Sequence, residues 1–140
     1  MEITLAKTQD EISSTYPVMQ QLRPHLDPIA YLASVNRQYQ ADNYMLAYIE
    51  NNNEVKAVAG FRIQENLCDG KFLYVNDLVT DQASRSKQYG QKLFSWLKDY
   101  AKDNNCNVLS LDSGVQRFDA HRFYLTNKMN ITSHHFCLSL

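Results

Sequence analysis

Apolar and polar residues alternate through residues 55–63, where Val55, Ala57, Ala59, Phe61 and Ile63 fall on one side of an extended chain. That period predicts a half-buried strand. Residues 44–49 form a second run rich in aromatic and apolar groups, and Asn51-Asn52-Asn53 between the two runs is a turn cluster, so together they predict a hairpin. Cys68-Asp69-Gly70 signals another turn, and residues 71–79 then read as a third strand of the same antiparallel meander. Gly60, inside the middle strand, marks either a bulge or a close approach by another backbone.

Elsewhere the spacing is helical. Ile12, Tyr16, Met19 and Leu22 predict a first helix that stops near Pro24, and Asp27 with Pro28 supplies the N-cap and first position of a second, reaching about Gln40. Leu93, Trp96, Leu97, Tyr100 and Ala101 predict a third helix after Gly90, ended by Asp103-Asn104-Asn105 before a strand over residues 108–111. A short helix over residues 119–127 carries Ala120, Phe123 and Tyr124, and residues 131–140 predict one or two closing strands. Ile3 and Leu5 alternate in a short opening strand. This order predicts an α/β (α+β) fold in one domain over residues 1–140, with a central mixed twisted sheet of about six to seven strands flanked by about four helices.

Composition narrows the functional classes. A net charge of -1 with no basic patch gives no field for nucleic acid, and no segment approaches the roughly 20 apolar residues of a membrane helix. Cys68, Cys106 and Cys137 are widely spaced without a CxxC pair, which suits neither a disulfide framework nor zinc. No histidine stands in a metal-ligand frame, so no metal is expected. Reduced thiols and the absence of an export signal point to a cytoplasmic protein.

The candidate chemistry begins where the strand residues 74–79 lead through Arg85-Ser86-Lys87-Gln88-Tyr89-Gly90 into the third helix. A helix N-terminus presents backbone N–H groups and partial positive charge, so this strand-loop-helix reads as an anion site, strengthened by Arg85, Lys87 and Lys92. The segment has neither a GxGxxG fingerprint nor a P-loop Gly-Lys-Ser/Thr.

Over most of its length the chain resembles the GNAT superfamily of N-acetyltransferases. That family's phosphate loop has Arg or Gln, two residues, Gly, one residue, then Gly or Ala, and Arg85 and Gly90 fit its ends. Its later helix has Ala, two residues, then Phe-Tyr, which here reads Ala120-His121-Arg122-Phe123-Tyr124. The order of elements matches as well. Gln88 stands at the loop's usual Gly position, Arg117 where an Asn often precedes the Ala, and Lys128-Met129 replace a frequent Gly-Phe. With helical φ at Gln88, its backbone N–H stays available.

The resemblance implies acetyl-CoA as co-substrate, with pyrophosphate on Arg85, Ser86, Lys87, Gln88, Tyr89, Gly90 and Gln91 and the pantetheine arm along the main chain of Leu78 and Val79. It implies Tyr124 as the acid for the departing thiolate, since a phenol of pKa about 10 can supply a thiol of pKa about 8.5 in a dry site. The bland reading of Tyr124 is a core aromatic. Asp77 is the general-base candidate: alternation puts it on one face with Leu73, Val75 and Val79, where desolvation is expected to raise its pKa. Its competing reading is a structural carboxylate bonded to a buried N–H or an arginine. Asp112 and His134-His135 are weaker bases, and His25, Arg37 and Tyr44 are candidates for the acceptor pocket. The expected partner is a small-molecule or peptide amine. Two alternatives stay open: a non-catalytic CoA-binding or protein-interaction module, and a homodimer joined through an exposed C-terminal strand.

Overall fold

The structure is a computed structural model that describes residues 2–140. The chain divides into two compact units, residues 1–110 and 111–140. In the first, strand β1 (Glu2–Leu5) is followed by helices α1 (Gln9–Ser14), α2 (Tyr16–Leu22) and α3 (Pro28–Asp42). The meander β2 (Met45–Asn51), β3 (Glu54–Asn66) and β4 (Gly70–Thr80) comes next, then α4 (Tyr89–Asp103) and β5 (Val108–Leu111).

Local chemistry sets most of these boundaries. The Thr8 hydroxyl accepts from Glu11 N at 3.1 Å while Glu11 Oε1 accepts from Thr8 N at 2.9 Å, a reciprocal cap that starts α1. Asp27 caps α3 through Ala30 N at 2.7 Å, as expected, and Asn43 ends that helix in the left-handed region at φ 65°. Residues 9–22 form two helices where the apolar spacing predicted one. Pro17 has no N–H to give to the carbonyl one turn back, and the Thr15 hydroxyl bonds Ile12 O at 2.6 Å, so the ladder breaks between Ser14 and Tyr16.

Strand order is β1-β2-β3-β4-β5. The first four pair antiparallel, and β5 reaches its neighbour β4 through the helical crossover α4, which makes parallel neighbours and a mixed sheet. Five strands and five helices form among the described residues, against the six to seven and four expected. The shortfall lies at the C-terminus, where residues 131–140 have no regular structure although Phe136, Leu138 and Leu140 alternate like a strand.

The sheet of the first unit is covered on both faces. Helices α1–α3 pack on one, where Ile12, Val18, Met19, Tyr31, Leu46, Val58 and Val79 share a buried cluster. Helix α4 packs on the other through Leu93, Phe94 and Leu97, and Phe61 lies 6.1 and 5.5 Å from the Trp96 and Tyr100 rings. Between β3 and β4 the register steps from Phe61–Val75 to Gly60–Asp77, leaving Asn76 as an extra residue. This bulge corrects the expected facing of Asp77. Leu73 and Val75 turn toward α4, whereas Asp77 and Val79 turn toward α1–α3.

The second unit holds α5 (Phe118–Thr126) and the tail. Within it, Met129 N bonds Tyr124 O at 3.1 Å and closes the end of α5.

Candidate active site

β4 ends at Thr80, and the chain then turns through a 3-10 segment (Gln82–Ser84) before the phosphate-loop candidate. Asp81 anchors this corner. It accepts from Gln21 Nε2 at 2.8 Å and from Ser84 Oγ at 3.1 Å, and the Gln21 bond holds its carboxyl below the ordinary carboxylate range. Arg85, Ser86, Lys87 and Gln88 follow, all exposed. Ser86 and Gln88 both lie in the left-handed region, at φ 70° and 69°, so the condition of a helical φ at Gln88 is not met. Gln88 is the N-cap of α4, and the chain enters the helix directly from this left-handed residue, in place of the extended conformation usual at an N-cap.

The start of α4 is tied down on two sides. Tyr89 is buried, with its hydroxyl accepting from Asn51 Nδ2 at 2.9 Å. A Cβ at Gly90 would lie 3.0 Å from Thr80 Oγ1, so the glycine lets the helix approach the end of β4. Among the described residues no side chain caps α4. Its opening turn therefore presents backbone N–H groups beside exposed Arg85 and Lys87, an arrangement that suits an anion. Asn107 N bonds Lys71 O at 2.7 Å, so the four-residue β5 runs alongside only the first part of β4. Leu78 and Val79 lie beyond its end, where main-chain groups can meet an extended ligand.

Asp77 occupies the helix-side face of β4, its side chain 15% exposed. It is not surrounded by apolar groups alone. Arg23 Nε lies 2.9 Å from Oδ1 and the Tyr44 hydroxyl donates to Oδ2 at 2.6 Å. Burial first, and the neighbouring Asp77 carboxylate second, push the Tyr44 phenol well above its ordinary value. Arg62 lies 4.8 Å over the Tyr44 ring and donates to Asn76 Oδ1 at 2.7 Å. Of the acceptor-pocket candidates, Tyr44 is thus a direct partner of Asp77. His25 and Arg37 are both exposed.

Tyr124 belongs to the second unit, on α5, half-buried with its ring 5.7 Å from that of Phe123. Burial raises its phenol above the ordinary value while Arg117 opposes the shift. Its hydroxyl is therefore protonated at neutral pH, the form an acid requires. His134 and His135 are both exposed, and His135 Nδ1 lies 3.7 Å from Asp112 Oδ1.

Comparison with known proteins decides the family. Residues 6–128 match the acetyltransferase (GNAT) family. The chain belongs to that family. It is 38% identical over 125 residues to the uncharacterized N-acetyltransferase YhdJ of Bacillus subtilis (strain 168), covering 89% of this chain and 87% of that one. It is 25% identical over 125 residues to the aminoalkylphosphonate N-acetyltransferase of Salmonella typhimurium (strain LT2), covering 89% and 81%. Its fold matches that of the aminoglycoside N-acetyltransferase AAC(6')-Iy in complex with CoA, with a TM-score of 0.85, 12% identity, and 99% and 95% of the two chains covered.

In this GNAT acetyltransferase β4 presents the carboxylate of Asp77 and then ends at the corner that seats α4. Sequence reasoning missed Arg23 and the role of Tyr44. Arg23 carried no signal and Tyr44 only that of a pocket candidate; Gly60 marked the bulge, which falls between Gly60 and Phe61, but not that Asn76 is the residue it leaves over on β4.

Proposed function

We propose that this acetyltransferase moves an acetyl group from acetyl-CoA to a primary amine by direct attack in a ternary complex, within a single domain over residues 1–140. The observation that carries the reading is the course of β4, which presents Asp77 and ends against the uncapped N-terminus of α4. The pyrophosphate is assigned to Arg85, Ser86, Lys87, Gln88, Tyr89, Gly90 and Gln91, and the pantetheine arm to the main chain of Leu78 and Val79. The left-handed φ at Gln88 turns its Cβ with the loop and leaves the peptide groups on either side to face an anion together.

Asp77 takes a proton from the acceptor ammonium, freeing the lone pair that attacks the thioester carbonyl. A backbone N–H of β4 stabilises the oxyanion, the C–S bond then breaks, Tyr124 gives its proton to the departing thiolate, and the second proton of the acylated nitrogen passes through water to restore the Tyr124 phenol. The role of Tyr124 rests on the family's Ala-x-x-Phe-Tyr frame. The similarity to an aminoalkylphosphonate N-acetyltransferase supports small amines as the first acceptors to assay.

The test combines calorimetry with acetyl-CoA and thiol release with a panel of 2-aminoethylphosphonate, spermidine, kanamycin and a tripeptide with a free N-terminus. Binding with turnover on one of them is expected. No binding refutes the cradle; binding without turnover on any amine refutes the transferase in favour of a CoA-binding module. Tyr124→Phe is expected to lower kcat by about a hundredfold with CoA affinity unchanged, and wild-type kcat would remove its role as acid.

A further inference from the structure

We propose that Tyr44 and Arg23 are positioning residues for Asp77, a clamp that fixes the plane of its carboxylate and leaves its remaining lone pairs for the acceptor amine. The inference rests on the reading of Asp77 as the base.

Each carboxylate oxygen has its own donor. Arg23 Nε holds Oδ1 at 2.9 Å and the Tyr44 hydroxyl holds Oδ2 at 2.6 Å, so rotation of the carboxylate in either direction breaks a charge-assisted bond. Both donors are themselves built in. The Tyr44 ring is almost fully buried under Arg62, and its hydroxyl fills the notch at Gly60, where a Cβ would stand 1.8 Å from it. Arg23 is the C-cap residue of α2, and its Nη2 also donates to Asn76 O at 3.1 Å. The extra residue of the bulge is thereby held by two arginines, through its carbonyl by Arg23 and through its side chain by Arg62.

The groups around the carboxylate leave Tyr44 no proton-transfer duty. Its phenol lies well above the ordinary value, so it remains a donor across the neutral range. Tyr31, next in the same cluster, is occupied with Thr15 Oγ1 at 2.7 Å. An ionised carboxylate oxygen offers about two lone-pair sites, so one bond to each oxygen leaves room for a substrate N–H. With 15% of the Asp77 side chain exposed, an amine can reach it.

Three variants test the clamp with acetyl-CoA and the fastest amine of the panel. Tyr44→Phe keeps the ring and removes only the donor; kcat is expected to fall about tenfold to a hundredfold, with KM for acetyl-CoA unchanged and the melting temperature within a few degrees of wild type. Arg23→Met is expected to lose as much, and Arg23→Lys to recover part of it, since an ammonium supplies the charge and one donor without the second bond to Asn76. Unchanged kcat in Tyr44→Phe overturns the proposal. So does a loss in which kcat and acetyl-CoA binding fall together with a collapse in melting temperature, the pattern of a purely structural residue. Asp77→Asn separates the two levels: wild-type kcat there removes the base itself, whereas lost kcat there with full kcat in Tyr44→Phe and Arg23→Met removes only the clamp.

Discussion

On the α4 side of the sheet, β3 and β4 present Phe61, Leu73 and Val75, all nearly or fully buried and packed against apolar groups of α4. On the α1–α3 side, one residue away along β3 and two along β4, the same pair presents Gly60 and Asp77, with Tyr44 and Arg23 filling the space. The first face is held by area removed from water, a term indifferent to direction. The second is held by bonds with fixed donors and acceptors, and it is the face that carries a chemically useful group. A bulge at Asn76 lets one strand serve both, because a single extra residue shifts the alternation by one step.

The largest effect should come from the apolar face. Phe61→Ala is expected to cost about 4 kcal/mol in chemical denaturation, and a loss below about 2 would show that α4 contributes far less than its packing implies. Alkaline pH should act next, on the polar face. Tyr31 is pushed up to about 12 by burial, against about 10 unfolded, so its contribution is complete below pH 10 and is lost as pH rises through 12. Two units correspond to about 3 kcal/mol, and Tyr31→Phe should abolish that part of the alkaline slope in urea titrations.

Gly60→Ala is expected to cost about 2 kcal/mol, since the new methyl and the Tyr44 hydroxyl cannot share one place. An unchanged melting temperature would mean that Tyr44 has another rotamer at little expense. The smallest stability change should accompany the largest loss of function. Asp77→Asn keeps the shape and forfeits an ion pair whose Arg23 side chain is 42% exposed, a loss of about 1 kcal/mol or less after solvent screening. Its kcat should nevertheless fall steeply. If stability and kcat fell in proportion instead, the two faces would not divide the work as described.

The first hairpin, its continuation into β4, and α4 were legible in the sequence because the apolar period and the turn residues agree there. Asn52 and Asn53 both take the positive φ that a tight hairpin needs. The sequence reading placed the meander and, through Gly60, its bulge, but failed where the register of a pairing or the presence of a partner strand decides the outcome. Alternation along β4 put Asp77 beside Leu73 and Val75, because a bulge exists only relative to a partner strand. Phe136, Leu138 and Leu140 alternate as a strand does, yet those residues form none. A period states which face would be apolar; it does not supply the neighbouring strand. Gln88 escaped for a different reason, since its left-handed φ is uncommon for a residue with a Cβ and carries no compositional mark.

The Tyr44 hydroxyl fills the space that a Cβ at position 60 would need, so the two positions share one allowance of volume. Enlarging position 60 calls for a smaller side chain at 44. In a library randomised at both positions and sorted for folded protein, survivors should fall into two non-overlapping classes, small with large and large with small. If Asp77 depends on the phenol, only the first of those classes should acetylate.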